Sequence, residues 1–278
     1  MVDFSLTDSH CHLTYDREDN LKAEFLINEA QQAGVGTMLT ICTLSSEWPK
    51  IQAMLDAQPN VFGTFGVHPN HVGEEKLGDK ALWEMAQMAA KHPKCVGLGE
   101  AGLDYHYNFA PKALQQKRFA QQLEWAWELG LPLVIHTREA EDDTMKMVDA
   151  ALAKASESKP LTLIFHCFTS SQKLADFGIE RGIYFGATGV LTFNNSDELR
   201  ATFATIPATQ LLVETDSPYL APMPFRGKQN RPAWVVKVAE RLAKERDTTL
   251  QAVADVTTQN FLRAFPKVAL HKAAKESA

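Results

Sequence analysis

The stretch Asp8-Ser9-His10-Cys11-His12-Leu13-Thr14-Tyr15 places three side chains able to bind a metal at consecutive positions. Further along come His68 before a proline, Glu100 in the run GEAGLD, His136 in IHTR, His166 in HCF and Asp216 in ETDSP. Imidazole and carboxylate together make a mixed nitrogen and oxygen donor set suited to Zn²⁺, Mn²⁺, Fe²⁺, Co²⁺ or Mg²⁺. His10, His12, His136 and His166 with Glu100 and Asp216 are enough for two divalent ions that share one carboxylate. Two ions about 3.5–4 Å apart clamp the attacking and leaving oxygens of an in-line displacement. Phosphoester hydrolysis is the natural use of such a pair, and an activated water then removes the need for a nucleophilic side chain.

Taken singly, each residue has a structural reading. The His10-x-His12 pair can be two hydrogen-bonded histidines on a half-buried strand, and Glu100 or Asp216 can cap a helix. Their placement along the chain argues for chemistry. Short apolar, β-branched runs begin at Phe4, Thr37, Val61, Cys95, Leu131, Thr162, Ile183 and Gln210, the pattern of strands covered on both faces. Amphipathic helical segments separate them. Asn20–Gly34 ends on a glycine suited to a helix C-terminus, and Pro111–Gly130 begins with proline and ends with glycine. Eight strand–helix units predict an α/β protein of the TIM (β/α)8 barrel class, and an open doubly wound sheet is the alternative. In the barrel, His10, His12, His68, Glu100, His136, His166 and Asp216 all fall at C-terminal strand ends, the face where such folds build their sites. Alternation along a strand sends His10 and His12 to one side and Cys11 to the other, and likewise separates Cys167 from His166. Asp8 and Glu214 lie one layer beneath His10 and Asp216, where a carboxylate can fix the tautomer of a ligating histidine.

The 278 residues, 45% hydrophobic and 22% charged, suit one barrel domain over residues 1–265, with an Ala- and Lys-rich tail, 266–278, expected to fray. A net charge of −6 argues against a broad basic surface that coats nucleic acid, although a site can still grip one strand end through local cations. Cys11, Cys42, Cys95 and Cys167 are scattered, with no C-x-x-C pair, and read as reduced thiols. No secretory signal is read in the first residues and no run of about eighteen apolar residues suggests a membrane span. A cytoplasmic monomer is the expectation.

The motifs DSHCHL, GVHP (Gly66–Pro69), GEAGLDY (Gly99–Tyr105), IHTRE (Ile135–Glu139), HCFTSS (His166–Ser171), VETDSPYLAP (Val213–Pro222) and RGKQNRP (Arg226–Pro232) occur in this order. Together they resemble the TatD-type metal-dependent deoxyribonucleases. The resemblance implies a TIM-barrel hydrolase with two divalent metal ions that cuts DNA phosphodiesters, single strands or 3′ ends, in the 3′ to 5′ direction. On that pattern His10, His12 and Asp216 hold one ion, His136 and His166 hold the other, and Glu100 bridges. Asp216 also orients and deprotonates the attacking water, and His68 touches the phosphate or stabilises charge there. Arg138 and the loop carrying Arg226, Lys228 and Asn230 lie near the nucleic-acid phosphates, while Tyr105 and Tyr219 are candidates for stacking. The loop departs from the usual RGKRNEP, since Gln229 replaces a basic residue and Arg231 an acidic one; both changes bear on substrate choice.

Two other classes stay open. A barrel amidohydrolase acting on a cyclic amide or small ester shares the H-x-H start, often with a carboxylated lysine between its metals. Here Glu100 occupies the fourth strand, and Lys94 precedes that strand at its opposite end. A metal-binding regulator without catalysis is the third class.

Overall fold

Apolar and β-branched runs form eight strands of a single sheet, in the order β1 to β8. They are β1 (Leu6–Cys11), β2 (Val35–Thr40), β3 (Val61–Phe65), β4 (Cys95–Asp104), β5 (Leu133–Arg138), β6 (Leu163–Phe165), β7 (Tyr184–Ala187) and β8 (Leu211–Val213). Between and after them run α1 (Ala23–Gln32), α2 (Trp48–Ala57), α3 (Asp79–Lys91), α4 (Lys112–Leu129), α5 (Glu141–Leu152), α6 (Gln172–Glu180), α7 (Asp197–Thr205), α8 (Val235–Glu245), α9 (Leu250–Ala264) and α10 (Pro266–Glu276). This computed structural model describes residues 5–276. Parallel strands in sequence order with helices between them make the TIM (β/α)8 class expected from the pattern. All eight expected strands are present, but β4 runs past Glu100 to Asp104, β3 and β8 each stop three residues before His68 and Asp216, which were expected to end them, and Phe4 of the first lies outside the described residues.

The chain forms two compact units. One comprises the described residues up to Thr40 with His166–Arg263, the other Ile41–Phe165 with the segment from Ala264 onward. In the first, β1 pairs in parallel with β2 and β7 with β8. The exit of β8 then meets β1: the Asp216 N–H donates to the His10 carbonyl (2.9 Å) and the His12 N–H to that of Ser217 (2.8 Å). The α1 face carrying Leu26, Ile27 and Ala30 is buried, and the helix is followed by Gly34 at φ +88°, a left-handed turn that glycine adopts without strain. In α8 the buried Val235, Val238, Ala239, Leu242 and Ala243 trace one helical stripe.

In the second unit β3, β4, β5 and β6 form successive parallel ladders. Helix α4 stops at Gly130, φ +63°, as its sequence predicts. Its buried face carries Phe119, Leu123 and Ala126, and also Gln115 and Gln122.

The C-terminal segment is a correction. Residues 266–276 form α10 rather than a frayed tail, while residues 277 and 278 of that expectation lie outside the described residues. Composition hid a docking face: Phe265 packs beside Gly97 and Val268 is fully buried. The Lys267 ammonium donates to the carbonyls of Ala90 (2.9 Å), His92 (3.1 Å) and Cys95 (2.7 Å), tying the helix to the turn that opens β4. Replacing Lys267 by Met leaves three acceptors without their donor and is expected to cost about 1–3 kcal/mol. An unchanged urea midpoint for Lys267→Met would contradict this docking.

Candidate metal centre

In the first unit the alternation of β1 does what the sequence predicts. His10 and His12 bring their Nε2 atoms within 3.3 Å of each other. Cys11 turns away, fully buried, with its thiol donating to the Leu39 carbonyl (3.4 Å). Burial pushes that thiol's pKa well above its ordinary value, which keeps it protonated and unsuited to ligate. Asp216, three residues past β8, has a left-handed φ of +54°. Its Oδ1 lies 3.5 Å from His10 Nε2 and 3.3 Å from His12 Nε2. Burial would raise the Asp216 pKa, but His12, His10 and His166 hold it below the ordinary carboxylate value, so it is an anion.

Beneath this trio Asp8 accepts from the Thr215 N–H (2.9 Å), the Thr215 hydroxyl (2.6 Å) and the His10 N–H (3.4 Å). It therefore fixes the backbone on either side of the site. His166 stacks on His10, with ring centroids 3.9 Å apart. Its Nδ1 is 3.4 Å from Glu214 Oε1, and Glu214 also accepts from the Cys167 N–H (2.6 Å) and the Ser9 hydroxyl (3.2 Å). Cys167 pays for this grip with φ +45°, an uncommon conformation of the kind that collects at functional sites. Gly186 of β7 makes room for the Glu214 carboxylate, since a Cβ there would lie 2.3 Å from Glu214 Oε2.

In the second unit His68, Glu100 and His136 converge. Glu100 Oε1 is 3.2 Å from His68 Nε2 and 3.0 Å from His136 Nδ1, and those two nitrogens are 3.3 Å apart. His68 lies past β3, in the turn at Pro69, where its Nδ1 accepts the Asn70 N–H (3.0 Å). That bond places the proton on Nε2. Burial lowers the His68 pKa to about 4, against the pull of Glu100, so the ring is neutral near pH 7. His136 meets a second carboxylate through Nε2, which is 3.0 Å from Asp104 Oδ2. Although burial opposes ionisation, hydrogen bonds from His136, the Tyr107 N–H and Asn70 bring Asp104 down to about 2. The ionised Asp104 accepts a hydrogen bond from the Nε2–H of His136, which leaves the Nδ1 lone pair facing Glu100.

Sequence reasoning missed Asp104 and its supports. Gln115 accepts the Asp104 N–H (2.8 Å) and donates to the Asp104 carbonyl (3.0 Å). Gln122, two turns on along α4, brackets Val67 in the same way, at 2.9 Å each way. Two amides seven residues apart on the buried face of a helix were the available signal.

These positions fit divalent ions. Bonds of about 2.0–2.2 Å to one ion set its ligand atoms roughly 3–3.5 Å apart, the spacing found within His10, His12 and Asp216 and within His68, Glu100 and His136. His10, His166 and Glu214 form a further convergent set. The structure thus brings His166 to His10 and Glu214, and His136 to His68 and Glu100.

The substrate candidates divide. Arg138, Arg226 and Lys228 are exposed. Asn230 is fully buried and donates to the Thr215 carbonyl (2.8 Å), so it holds the Asp216 loop instead of reaching a phosphate. Arg231 pairs with Glu29 (2.9 Å), and Gln229 accepts the Asp19 N–H (3.3 Å). Tyr105 is half-buried and donates its hydroxyl to Asp143 (2.6 Å), whereas Tyr219 is exposed. Two histidines outside these sets, His92 and His271, are half-buried, against Asp56 and Phe62. Lys94 is buried, its ammonium donating to the carbonyls of Leu55 and Gln58, an arrangement that occupies it away from Glu100.

The model of the family described as TatD related DNase matches residues 7–266. The chain is 34% identical to the uncharacterized metal-dependent hydrolase YcfH of Escherichia coli K12, over 94% of this chain and 95% of the relative. It is 32% identical to the 3′-5′ ssDNA/RNA exonuclease TatD of Cronobacter sakazakii, over 96% and 98% of the two chains. Among solved structures it is similar to the TatD homolog YJJV from Escherichia coli K12, with a TM-score of 0.84, 25% identity and coverage of 94% and 98%.

Two substitutions test this geometry through bound metal, measured by elemental analysis. Cys11→Ser is expected to leave metal content as in wild type, whereas His12→Ala lowers it in a folded protein; metal loss in Cys11→Ser would overturn the strand register. Gly186→Ala is expected to displace Glu214 and cost about 1–3 kcal/mol through overpacking, read as a lowered unfolding midpoint.

Proposed function

Since the chain belongs to the TatD related DNase family, we propose that this metal-dependent hydrolase cuts nucleic-acid phosphodiesters, removing nucleotides from the 3′ end of single-stranded DNA. The observation that carries the reading is the convergence of His10, His12 and Asp216, and of Glu100 with His136, at spacings suited to divalent ions, with the His68 Nε2–H beside Glu100. His10, His12 and Asp216 would hold one ion, Glu100 and His136 another, and His166 stands beside His10. When bound, such ions supply Lewis acidity and a water that ionises near neutral pH.

The chain's own groups do the rest. Asp216, held anionic among imidazoles, accepts the proton of the attacking water and orients it. Neutral His68 offers an N–H from Nε2 to a phosphoryl oxygen as charge builds there. Exposed Arg138, Arg226 and Lys228 supply local cations for neighbouring phosphates in a chain whose net charge is −6. A carboxylated-lysine amidohydrolase receives no support from Lys94, buried against the Leu55 and Gln58 carbonyls.

Purified protein loaded with Mg²⁺ or Mn²⁺ is expected to release mononucleotides from 5′-labelled single-stranded DNA as a 3′-shortening ladder. Asp216→Asn is expected to slow release by about 10²- to 10⁴-fold. A loaded wild type that leaves DNA and RNA intact while opening a cyclic amide would refute the phosphodiesterase.

A further inference from the structure

The loop after β4 exposes two aromatic rings. Phe109 is 71% and Tyr107 50% exposed, and the two stack, centroids 5.4 Å apart and planes 17° from parallel. The Arg138 guanidinium lies 4.7 Å from the Tyr107 ring centroid. With one face of Phe109 on Tyr107 and most of its surface open, its outer face is available. Exposure of this kind costs hydrophobic free energy unless a ligand covers it.

The stack is not a loose flap. The Tyr107 N–H donates to Asp104 Oδ1 (3.0 Å), and Oδ2 of the same carboxylate meets His136 (3.0 Å). Arg138 follows His136 by two residues on β5. The aromatic pair is therefore indexed to the candidate metal-binding histidine through one carboxylate and one strand. Planar π surface beside a cation, at fixed distance from a phosphodiester-cleaving centre, is the chemistry that holds an unpaired nucleobase: every base offers a π face, and Arg can engage the adjoining phosphate.

The geometry points to Phe109 and Tyr107, flanked by Arg138, as a stacking platform for one base of the single-stranded substrate. This rests on the phosphodiesterase reading and gives it a base-binding subsite. Such a platform is tolerant of base identity and favours single strands over duplexes, whose bases are already stacked.

Fluorescence anisotropy with labelled (dT)10, using Asp216→Asn protein so that the probe survives, tests this. Phe109→Ala is expected to weaken binding by about 5- to 30-fold, and Phe109→Trp to retain it. An oligonucleotide abasic throughout is expected to bind Phe109→Ala and its parent alike, because it has no base to stack. If the parent binds (dT)10 and Phe109→Ala binds it equally well, the platform is refuted while the nuclease reading stands. If wild type neither binds nor cuts any nucleic acid, the nuclease reading falls and the platform with it. Light scattering that shows a dimer lost in Phe109→Ala, with (dT)10 affinity unchanged, would assign the aromatic pair to a second copy of this chain and overturn the proposal.

Discussion

The Asp8 carboxylate is the point on which the first set of candidate ligands turns. It is fully buried and receives both the N–H and the hydroxyl of Thr215, so the exit of β8 is bolted to β1 immediately below the histidines. Burial drives its pKa well above the ordinary value, opposed by those same hydrogen bonds. Without that anchor nothing would oblige His10 and His12, from one strand, to face Asp216 from another. The backbone repeats the message, since the Asp216 N–H donates to the His10 carbonyl. Buried polar groups of this kind are costly unless satisfied, and satisfied ones specify a single arrangement.

The second set is held by a different device of the same kind. Gln115 and Gln122 project from α4 and grip backbone at Asp104 and Val67, so a helix face clamps the loops that carry Asp104 and His68. The two glutamines thereby help to position His136, through Asp104, and His68. Preorganisation of this sort holds the nitrogen and oxygen donors about 3 Å apart, as orienting partners behind a set of candidate ligands do.

The strands and the residues at their ends were legible because hydrophobic runs and ligand types are local signals. Strand period alone separated His10 and His12 from Cys11, and the geometry agrees. Three things were not legible. Asp104 ends β4, and what marks it out is its contact with His136 of β5, a pairing that the sequence near Asp104 does not announce. Asn230 looked like a loop amide available to phosphate, but its partner is the Thr215 carbonyl, distant in sequence. The last helix was concealed by Ala and Lys, whose composition says little about the one face that docks. In each case the deciding contact is long-range, and periodicity carries no information about it.

The unit that carries His10, His12, His166 and Asp216 is sewn from the two sides of the chain, with Asp8 and Thr215 separated by 207 positions. Most of the other unit is one continuous run, Ile41–Phe165. Chains are made from the amino end, so strands β3 to β6 can find their neighbours while β8 is still inside the ribosome. Closing a contact across so much chain carries the larger entropy penalty and comes late. The histidine pair near the start is thus among the earliest residues synthesised and among the last to gain its carboxylate. That set of side chains is therefore complete only after the chain through Asp216 has emerged and β8 has closed on β1.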